Sequence, residues 1–149
     1  MAYYIASDHA GFLLKNRLRL SLKKDYEFED LGVFVAERVD YPDIAIKLAK
    51  RVASEEEAMG ILVCGTGIGM SMVANKVPGI RAALIYDGFT AKMARQHNNA
   101  NIACLGGRNT PEMTALGVVK TFLETGFLGR RKGEERHLQR VKKIDKVLE

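Results

Sequence analysis

The sequence predicts an α/β fold, namely a single-domain Rossmann-like sandwich of three layers around a five-stranded parallel sheet. Strand-like and helix-like runs alternate along the chain, which is the order found in parallel sheets with helices on both faces. The length of 149 residues suits one domain with one hydrophobic core. No repeat, low-complexity segment or linker divides the chain. We therefore expect a single domain over residues 1–149, with an α/β core over 1–128 and a basic helical extension over 129–149.

The predicted strands are short apolar runs with the composition of buried strands. They cover residues 3–6, 26–31, 60–64, 80–86 and 101–105. The predicted crossover helices cover residues 11–24, 43–54, 69–76, 88–97 and 111–125. Apolar residues recur at helical spacing in the first two of these helices. In the last one, Thr110 is the predicted N-cap, Pro111 suits the first turn and Gly126 is placed to end the helix.

The segment after Gly129 is predicted to form a charged helix over residues 134–148. Its apolar residues form one narrow stripe: Leu138, Val141, Ile144, Val147 and Leu148. A thin apolar stripe on an appended helix can cover its own domain or a neighbouring subunit. We favour the neighbour, so that the helix docks on a partner subunit of a homodimer.

The charge distribution argues against nucleic-acid binding. The formal net charge is +5, and much of the excess lies in the basic segment after residue 129. Acidic residues interrupt that segment, and no aromatic residues are interleaved with it for stacking on bases. A solvated face, a subunit contact or a phosphate clamp explains such a helix better.

The N-terminal residues and the two cysteines indicate in which cellular compartment the protein is found. No run approaches about 18 to 20 consecutive apolar residues, and no basic stretch precedes the apolar residues at the N-terminus. We therefore expect neither a membrane span nor a secretory signal. Cys64 and Cys104 end strand-like runs and form no CxxC motif. Free thiols suit a reducing compartment, so we expect a cytoplasmic protein.

A glycine-rich turn follows the third predicted strand. Residues 64–69 read Cys-Gly-Thr-Gly-Ile-Gly and lead into a helix. Backbone amides at such a junction have no intrahelical partner and can form a cradle for an oxyanion. The spacing fits neither the dinucleotide G-x-G-x-x-G motif nor Walker A. A tight turn would also use glycines, but three alternating ones favour an anion cradle and hence an anionic small molecule as ligand.

Polar residues follow four of the predicted strands, and the carboxyl ends of parallel strands meet at one edge of the sheet. These residues are the segments 7–11, 64–69, 86–88 and 106–108. For Asp8, capping the next helix is as good an interpretation as binding a ligand. His97 ends a helix, where the dipole favours an imidazolium. Cys64 could be a base or a buried small apolar residue, whereas Cys104 is assigned to the core.

Several motifs in a fixed order resemble those of one enzyme family. They are Ser7-Asp8-His9-Ala10-Gly11, Asp40-Tyr41-Pro42, residues 64–71 with 74–76 and 79–83, residues 95–101, and Arg136-His137 with Arg140. This set is similar to that of the type B ribose-5-phosphate isomerases and their galactose-6-phosphate isomerase relatives. The similarity covers nearly the whole chain, and the ordered set is far more specific than any single motif.

The resemblance implies interconversion of ribose 5-phosphate and ribulose 5-phosphate through an enediolate, in the non-oxidative pentose phosphate pathway, without metal or organic cofactor. It implies that Cys64 accepts the proton, that His97 is the acid that opens the furanose ring and that Thr66 assists. The implied substrate-binding residues are Asp8, His9, Tyr41, Gly65, Gly67, Ile68, Gly69, Asn98, Arg108, Arg136 and Arg140. The amides of residues 65–69 would form the oxyanion hole. Two subunits of a homodimer, alone or within a tetramer of dimers, would share each site.

The chain departs from the family pattern at two places. Met70 stands where some members carry a glutamate base, so this chain resembles the cysteine-dependent branch. Two glutamates directly precede Arg136, and carboxylates are unhelpful beside a phosphate. The phosphate role of Arg136 is therefore less secure than that of Arg140, and Arg130 and Arg131 are its substitutes.

Two other functions stay open at this point. The same chemistry could act on a six-carbon sugar phosphate such as allose or galactose 6-phosphate, because the depth of the pocket decides this and the sequence does not reveal it. The scaffold could also belong to a non-catalytic nucleotide- or phosphate-binding regulator. The thiol and the absent dinucleotide spacing argue against the regulator.

Overall fold

The predicted alternation of strands and helices is present in a computed structural model, which describes residues 1–148. The strands are β1 (Tyr3–Ser7), β2 (Phe28–Asp30), β3 (Met59–Cys64), β4 (Ala82–Leu84) and β5 (Ile102–Gly106). Within the described residues they form one sheet in the order β2-β1-β3-β5-β4, and every pair of neighbours is parallel. This confirms the predicted fold class of a five-stranded parallel sheet.

The helices cover both faces of the sheet. They are α1 (Phe12–Leu22), α2 (Tyr41–Ala53), α3 (Ile68–Ala74), α4 (Gly88–Gln96), α5 (Glu112–Glu124) and α6 (Glu135–Asp145), with 3₁₀ turns at Leu128–Arg130 and Lys146–Leu148. α1, α4 and α5 bury apolar residues against one face of the sheet, and α2 and α3 against the other. Over residues 1–148, no helix has both the length and the hydropathy of a membrane-spanning segment.

The central strand β3 is buried along its whole length. Because side chains alternate between the faces of a strand, Ile61 packs on the α1 side of the sheet and Leu62 on the α2 side. Cys64 and Cys104 both lie on the α2 side. Cys104 is completely buried, which confirms its assignment to the core, and this burial raises the pKa of its thiol far above the ordinary value.

The two outer strands are shorter than predicted. β2 and β4 have three residues each, because they stand at the edges of the sheet and pair on one side only. Side chains satisfy the backbone around β4. The Asn75 side-chain oxygen accepts from the Ala82 N–H at 2.8 Å, and the Asn101 side-chain oxygen accepts from the Arg81 N–H at 2.9 Å.

The prediction that Thr110 caps α5 was wrong. The Thr110 N–H donates to the Gly106 carbonyl at 3.1 Å, which places Thr110 in the turn that follows β5. Pro111 takes the N-cap position instead, without a side-chain capping bond. At the other end, Thr125 is the C-cap and Gly126 follows it directly, as the sequence predicted.

The helix α6 packs partly on its own domain. His137 and Val141 are buried, and Asp145 forms an ion pair with Arg81 at 2.8 Å. Ile144 and Val147 remain exposed. The apolar stripe is thus divided: its middle covers this chain, and its C-terminal end is left uncovered.

Candidate active site

The loops that follow β1, β3 and β5 meet at the carboxyl edge of the sheet because these are its three central strands. Backbone hydrogen bonds join the loops to one another. The Asp8 N–H donates to the Val63 carbonyl at 3.2 Å, and the Gly107 N–H donates to the Cys64 carbonyl at 2.7 Å. Three of the four predicted polar segments therefore converge as expected.

The fourth predicted segment, residues 86–88, does not line this convergence. Asp87 is instead the N-cap of α4, and it accepts hydrogen bonds from the backbone and the hydroxyl of Thr90. These bonds, the backbone one first, hold the pKa of the Asp87 carboxyl below its ordinary value. The segment follows β4, the outermost strand beyond β5, so it lies away from the centre of the sheet.

The thiol of Cys64 lies at the floor of the convergence, 5% exposed. Its sulfur accepts the Gly67 N–H at 3.1 Å. Gly67 has a φ of 79°, a left-handed conformation that glycine adopts readily and that turns its amide back towards the sulfur. A donated N–H stabilises negative charge on its acceptor. The sulfur therefore faces the glycine turn, as a proton acceptor would have to.

Thr66 is held within the same turn. Its hydroxyl oxygen accepts the Ile68 N–H at 3.3 Å. The amides of Gly67 and Ile68 are thus both directed at side chains of residues 64–69, and both side chains belong to the predicted catalytic set. The turn is organised around Cys64 and Thr66.

A cleft of about 490 Å³ opens above the Cys64 sulfur. It gathers most of the predicted site residues: Asp8, His9, Tyr41, Cys64, Gly65, Thr66, Ile68, Gly69 and Arg108. A second cleft of about 640 Å³ shares Asp8, His9, Tyr41 and Arg108 with the first and extends along the loop before α2. The two clefts form one continuous groove at the carboxyl edge.

Two glycines let larger side chains lie close to the turn. A Cβ at Gly69 would stand 2.6 Å from the ring of Tyr41, the first residue of α2. A Cβ at Gly65 would stand 3.4 Å from a terminal nitrogen of Arg108. Tyr41 and Arg108 therefore rest on the glycine turn and form the walls of the cleft.

Asp8 and His9 each have a structural contact as well as a place in the cleft. An Asp8 carboxylate oxygen accepts the Gly11 N–H at 3.0 Å, but Gly11 is itself the N-cap of α1 and that helix has no side-chain capping bond. Asp8 therefore stabilises the turn before α1 and does not cap the helix. The His9 Nδ1 accepts the Val39 N–H at 3.4 Å. This contact leaves Nε2 as the ring nitrogen that is available to a ligand.

Sequence reasoning missed Arg38, which lines the second cleft. It is one cation in a charged segment and carries no pattern of its own, although it stands two residues before the motif at 40–42. The loop that carries it is anchored by Lys15, which is completely buried in α1. The Lys15 Nζ lies 2.8 Å from an Asp30 carboxylate oxygen and donates to the Val33 carbonyl at 2.6 Å.

His97 lies at the opposite edge of the sheet from Cys64. α4 begins at the carboxyl edge, after β4, and runs back for nine residues, roughly 13 Å, before His97 caps it. One chain therefore does not bring His97 to its own Cys64. The ring of His97 instead stacks on that of His137, with centroids 4.3 Å apart and planes 8° apart.

The remaining predicted residues belong to this second group. Asn98 follows His97 and lines a mainly apolar cleft of about 370 Å³. Arg136 and Arg140 are on α6, beside His137. Arg136 pairs with Glu134 at 2.7 Å, whereas Arg140 is in no ion pair among the described residues. Arg140 therefore has a charge that no carboxylate of the described residues neutralises, and its phosphate role stays a prediction.

Two further residues singled out in the sequence are Arg130, a proposed substitute for Arg136, and Met70, which stands at the position of a glutamate base in some members of the family that the sequence resembles. Arg130 pairs with Glu57 at 3.5 Å, so its positive charge is already partnered by a carboxylate. Met70 is completely buried on the α2 side of the sheet, so no ionisable group comes from that position. Among residues 1–148, no group of three or more His, Cys, Asp or Glu side chains could hold a metal ion.

The groove suits removal of a proton from an anionic ligand. A thiol lies at its floor beside a donor amide, an imidazole and a carboxyl group flank it, and Arg108 brings a positive charge. Arg108 forms no ion pair within the described part of the chain, so its charge is available to an anion.

The chain matches the model of the Ribose/Galactose Isomerase family over residues 3–144. It is 44% identical to the putative sugar phosphate isomerase YwlF of Bacillus subtilis, over 97% of this chain and 95% of that protein. It is 46% identical to the type B ribose 5-phosphate isomerase of Trypanosoma brucei, with a TM-score of 0.91 over 99% of both chains.

A further similar structure is that of a ribose-5-phosphate isomerase B from Mycoplasma genitalium, which was solved with bound ribulose-5-phosphate. It is 40% identical to this chain, with a TM-score of 0.90, and the similarity covers 98% of this chain and 95% of that one.

Proposed function

This chain belongs to the ribose/galactose isomerase family, and from this premise we propose that it interconverts ribose 5-phosphate and ribulose 5-phosphate. The observation that carries the proposal is the position of Cys64. Its sulfur lies at the floor of the groove, accepts the Gly67 N–H and has the cation of Arg108 nearby. The bound ribulose-5-phosphate of the Mycoplasma genitalium relative supports a five-carbon sugar phosphate as the substrate.

The isomerisation moves one proton between neighbouring carbons. The Cys64 thiolate removes the proton from carbon 2 of open-chain ribose 5-phosphate, and the electrons of that C–H bond form the C1–C2 double bond. The aldehyde oxygen becomes an oxyanion. The hydroxyl proton on oxygen 2 then passes to oxygen 1, and the Cys64 thiol returns its proton to carbon 1, which gives ribulose 5-phosphate.

The turn over residues 64–69 supplies the groups that this sequence of steps requires. The oxyanion forms next to backbone amides that are already held in place by the fold, which lowers the energy of the enediolate. The Thr66 hydroxyl is positioned by the Ile68 amide and can pass the proton between the two oxygens. Asp8, His9 and Tyr41 contact the sugar from the walls of the groove.

Arg108 is the phosphate ligand that this half of the site provides. It is exposed, lies over Gly65 and lines both clefts of the groove. A guanidinium that is not paired with a carboxylate can bind two phosphate oxygens at once. His9, which also lines both clefts, can add a hydrogen bond to the phosphate or the sugar.

The other half of the site comes from a second copy of the chain. Ribose 5-phosphate is mainly a furanose, and an acid must open the ring before carbon 2 can lose its proton. His97 is the residue for this step, but it lies at the amino edge of the sheet in its own chain. In a homodimer with a two-fold axis, each groove receives His97, Asn98, Arg136 and Arg140 from the partner, and both sites are identical.

The surface around Asn98 is the face that we propose for this dimer. Its apolar cleft is lined in part by Phe89, Met93 and Ile144, and Phe89 is 71% exposed. Met72, on α3 next to the catalytic cleft, is exposed as well. Exposed apolar side chains beside both groups of predicted site residues indicate a surface that a partner covers.

Isomerisation in deuterium oxide tests the function directly. The chain is incubated with ribulose 5-phosphate, and the ribose 5-phosphate that forms is examined by proton NMR. We expect the product to carry deuterium at carbon 2, because Cys64 exchanges its proton with solvent during the enediolate stage. Absence of product would contradict the function, and faster turnover of allose or galactose 6-phosphate would replace the five-carbon substrate by a six-carbon one.

We also propose a cytoplasmic location. Cys64 and Cys104 are both free thiols, and a base of this kind is active only while it stays reduced.

A further inference from the structure

The stacked imidazoles of His97 and His137 form a contact that the mechanism above does not use. The rings are nearly parallel, with planes 8° apart and centroids separated by 4.3 Å. His97 caps α4, and His137 is in the first turns of α6, so the stack joins two elements that are distant in sequence. Parallel rings at this distance gain stacking energy and restrict each other's rotation.

Little else fixes the orientation of the His97 ring. The His97 backbone N–H donates to the Met93 carbonyl at 3.0 Å, which holds the backbone as the end of α4. Its side chain forms no hydrogen bond with any other residue of the 1–148 segment. The plane of the imidazole is therefore set by the ring of His137.

The ring of His137, by contrast, is enclosed by the fold. It is 3% exposed, and its backbone N–H donates to the Glu134 carbonyl at 3.0 Å. Its Nε2 lies 3.3 Å from a Glu134 carboxylate oxygen, which is itself 2.7 Å from a terminal nitrogen of Arg136. Neither ring nitrogen has a well-directed hydrogen bond within the described residues.

Burial and the neighbouring cations disfavour the protonated form of His137. Burial is the main cause that lowers its pKa, and the nearby His97, Arg136 and Arg140 lower it further. Glu134 acts in the opposite direction and does not outweigh them. A neutral aromatic ring can stack on His97 both before and after His97 gives up its proton.

We infer that His137 is a positioning residue for the ring-opening step, a flat platform that aims the His97 imidazole at the sugar in the partner's groove. This inference rests on the proposed function. It assigns no contact with substrate to His137. It requires a flat ring at position 137 and does not require that the ring titrate.

Two substitutions test the platform, one by removing the flat ring and one by keeping a flat ring without its nitrogens. In His137→Ala the platform is absent, and we expect kcat for ribose 5-phosphate to fall about 10- to 100-fold, because a misaimed acid loses that much. In His137→Phe the flat ring is kept, and kcat is expected to remain within about 3-fold of the parent enzyme, with KM little changed in both variants. Circular dichroism and the oligomeric state confirm that both variants are folded.

A second measurement, hydrogen exchange at carbon 1 of ribulose 5-phosphate, distinguishes ring opening from proton removal. Ribulose 5-phosphate has no furanose form, because its oxygen 5 carries the phosphate, so exchange of its carbon-1 proton with deuterium oxide needs Cys64 but not His97. We expect both variants to keep this exchange, while the rate of ribose 5-phosphate conversion falls only in His137→Ala. Equal kcat values for the Ala variant and the parent, or equal losses in the Ala and Phe variants, would overturn the inference. If the parent enzyme itself converts no ribose 5-phosphate, the proposed function fails instead.

Discussion

The sulfur of Cys64 lies 3.1 Å from the amide nitrogen of Gly67 and accepts its hydrogen. In the proposed mechanism, this contact joins the base to the backbone that stabilises the charge it creates. β3 delivers Cys64 to the carboxyl edge of the sheet, and the left-handed turn at Gly67 brings the amide back over it. One short segment would therefore supply both the proposed proton acceptor and the electrostatic support for the enediolate.

Replacement of Cys64 is expected to stop proton transfer. Cys64→Ala should lower kcat about 100- to 10,000-fold, the range by which a general base accelerates such reactions. Binding of the sugar phosphate, measured by calorimetry, should persist because Arg108 and the walls of the groove are unchanged. Cys104→Ala is the matched control, since that thiol is buried in the core on the same face of the sheet. Full turnover by Cys64→Ala would contradict the proposed role.

The convergence of Asp8, Cys64 and Arg108 could be predicted because it follows from topology. Each residue comes just after a central strand, and the carboxyl ends of neighbouring parallel strands meet at one edge. The sequence contains the alternation of strands and helices that implies a parallel sheet. The position of a residue at the end of a strand then decides where it lies, without any knowledge of side-chain packing.

Contacts that match two distant segments could not be predicted in this way. Lys15 is a charged residue among leucines, yet it is completely buried, and it pairs with Asp30 at 2.8 Å. Leu13 in the same helix is exposed instead. A buried ion pair depends on a partner that only the folded chain brings close, so neither residue carries a signal of its own.

The stack of His97 on His137 escaped prediction for a similar reason. The two residues are 40 positions apart, and nothing in either local pattern shows that α6 returns to the end of α4. The direction of α4, which carries His97 away from the carboxyl edge, does follow from the alternation of the elements. The separation of the predicted site residues into two groups was therefore within reach of the sequence, and the contact between His97 and His137 was not.

The conformation of Gly67 predicts a second substitution effect. In Gly67→Ala, the methyl group would lie 2.7 Å from Leu84 Cδ1 and 2.9 Å from the backbone of Leu105, at a φ that disfavours alanine. We expect a loss of about 1–3 kcal/mol in the free energy of unfolding, together with lower kcat because the donor to Cys64 moves. Urea denaturation and steady-state kinetics measure the two effects.

Gly117→Ala is the control for that experiment. Gly117 is in α5, and a Cβ there meets nothing within 4 Å. This substitution should stabilise the fold by about 0.5–1 kcal/mol through helix propensity and leave kcat unchanged. If both alanine variants were equally stable and active, the left-handed turn would not be essential to the site.

Stability should depend on pH through His137. The pKa of His137 is lower in the folded chain than its ordinary value of 6.5, so the unfolded chain binds the proton more readily. The free energy of unfolding is therefore expected to decrease as pH falls below about 6.5 and to stop decreasing once the folded residue is also protonated. His137→Phe removes this contribution, so its urea midpoint should fall less between about pH 7 and pH 5. Equal decreases in both proteins would show that His137 is not the group responsible.

Mixing two inactive variants tests whether each site is shared between subunits. In a shared site, Cys64→Ala and His97→Asn inactivate different halves. A heterodimer of the two chains contains one groove with both substitutions and one groove with neither. Random exchange of subunits makes half of the dimers heterodimers, so we expect about one quarter of the parent activity to return. Each variant alone should stay at least about 100-fold below the parent.

A second mixture, in which both chains lack the Cys64 sulfur, is the control for this experiment. A mixture of Cys64→Ala with the double variant Cys64→Ala/His97→Asn should recover nothing, because every groove then lacks the sulfur. A tag on one chain allows heterodimers to be counted independently of activity. If heterodimers form and no activity returns, each groove is complete within one chain. His97 would then have to reach Cys64 across the full length of α4 in its own subunit, which the parallel topology of the sheet opposes.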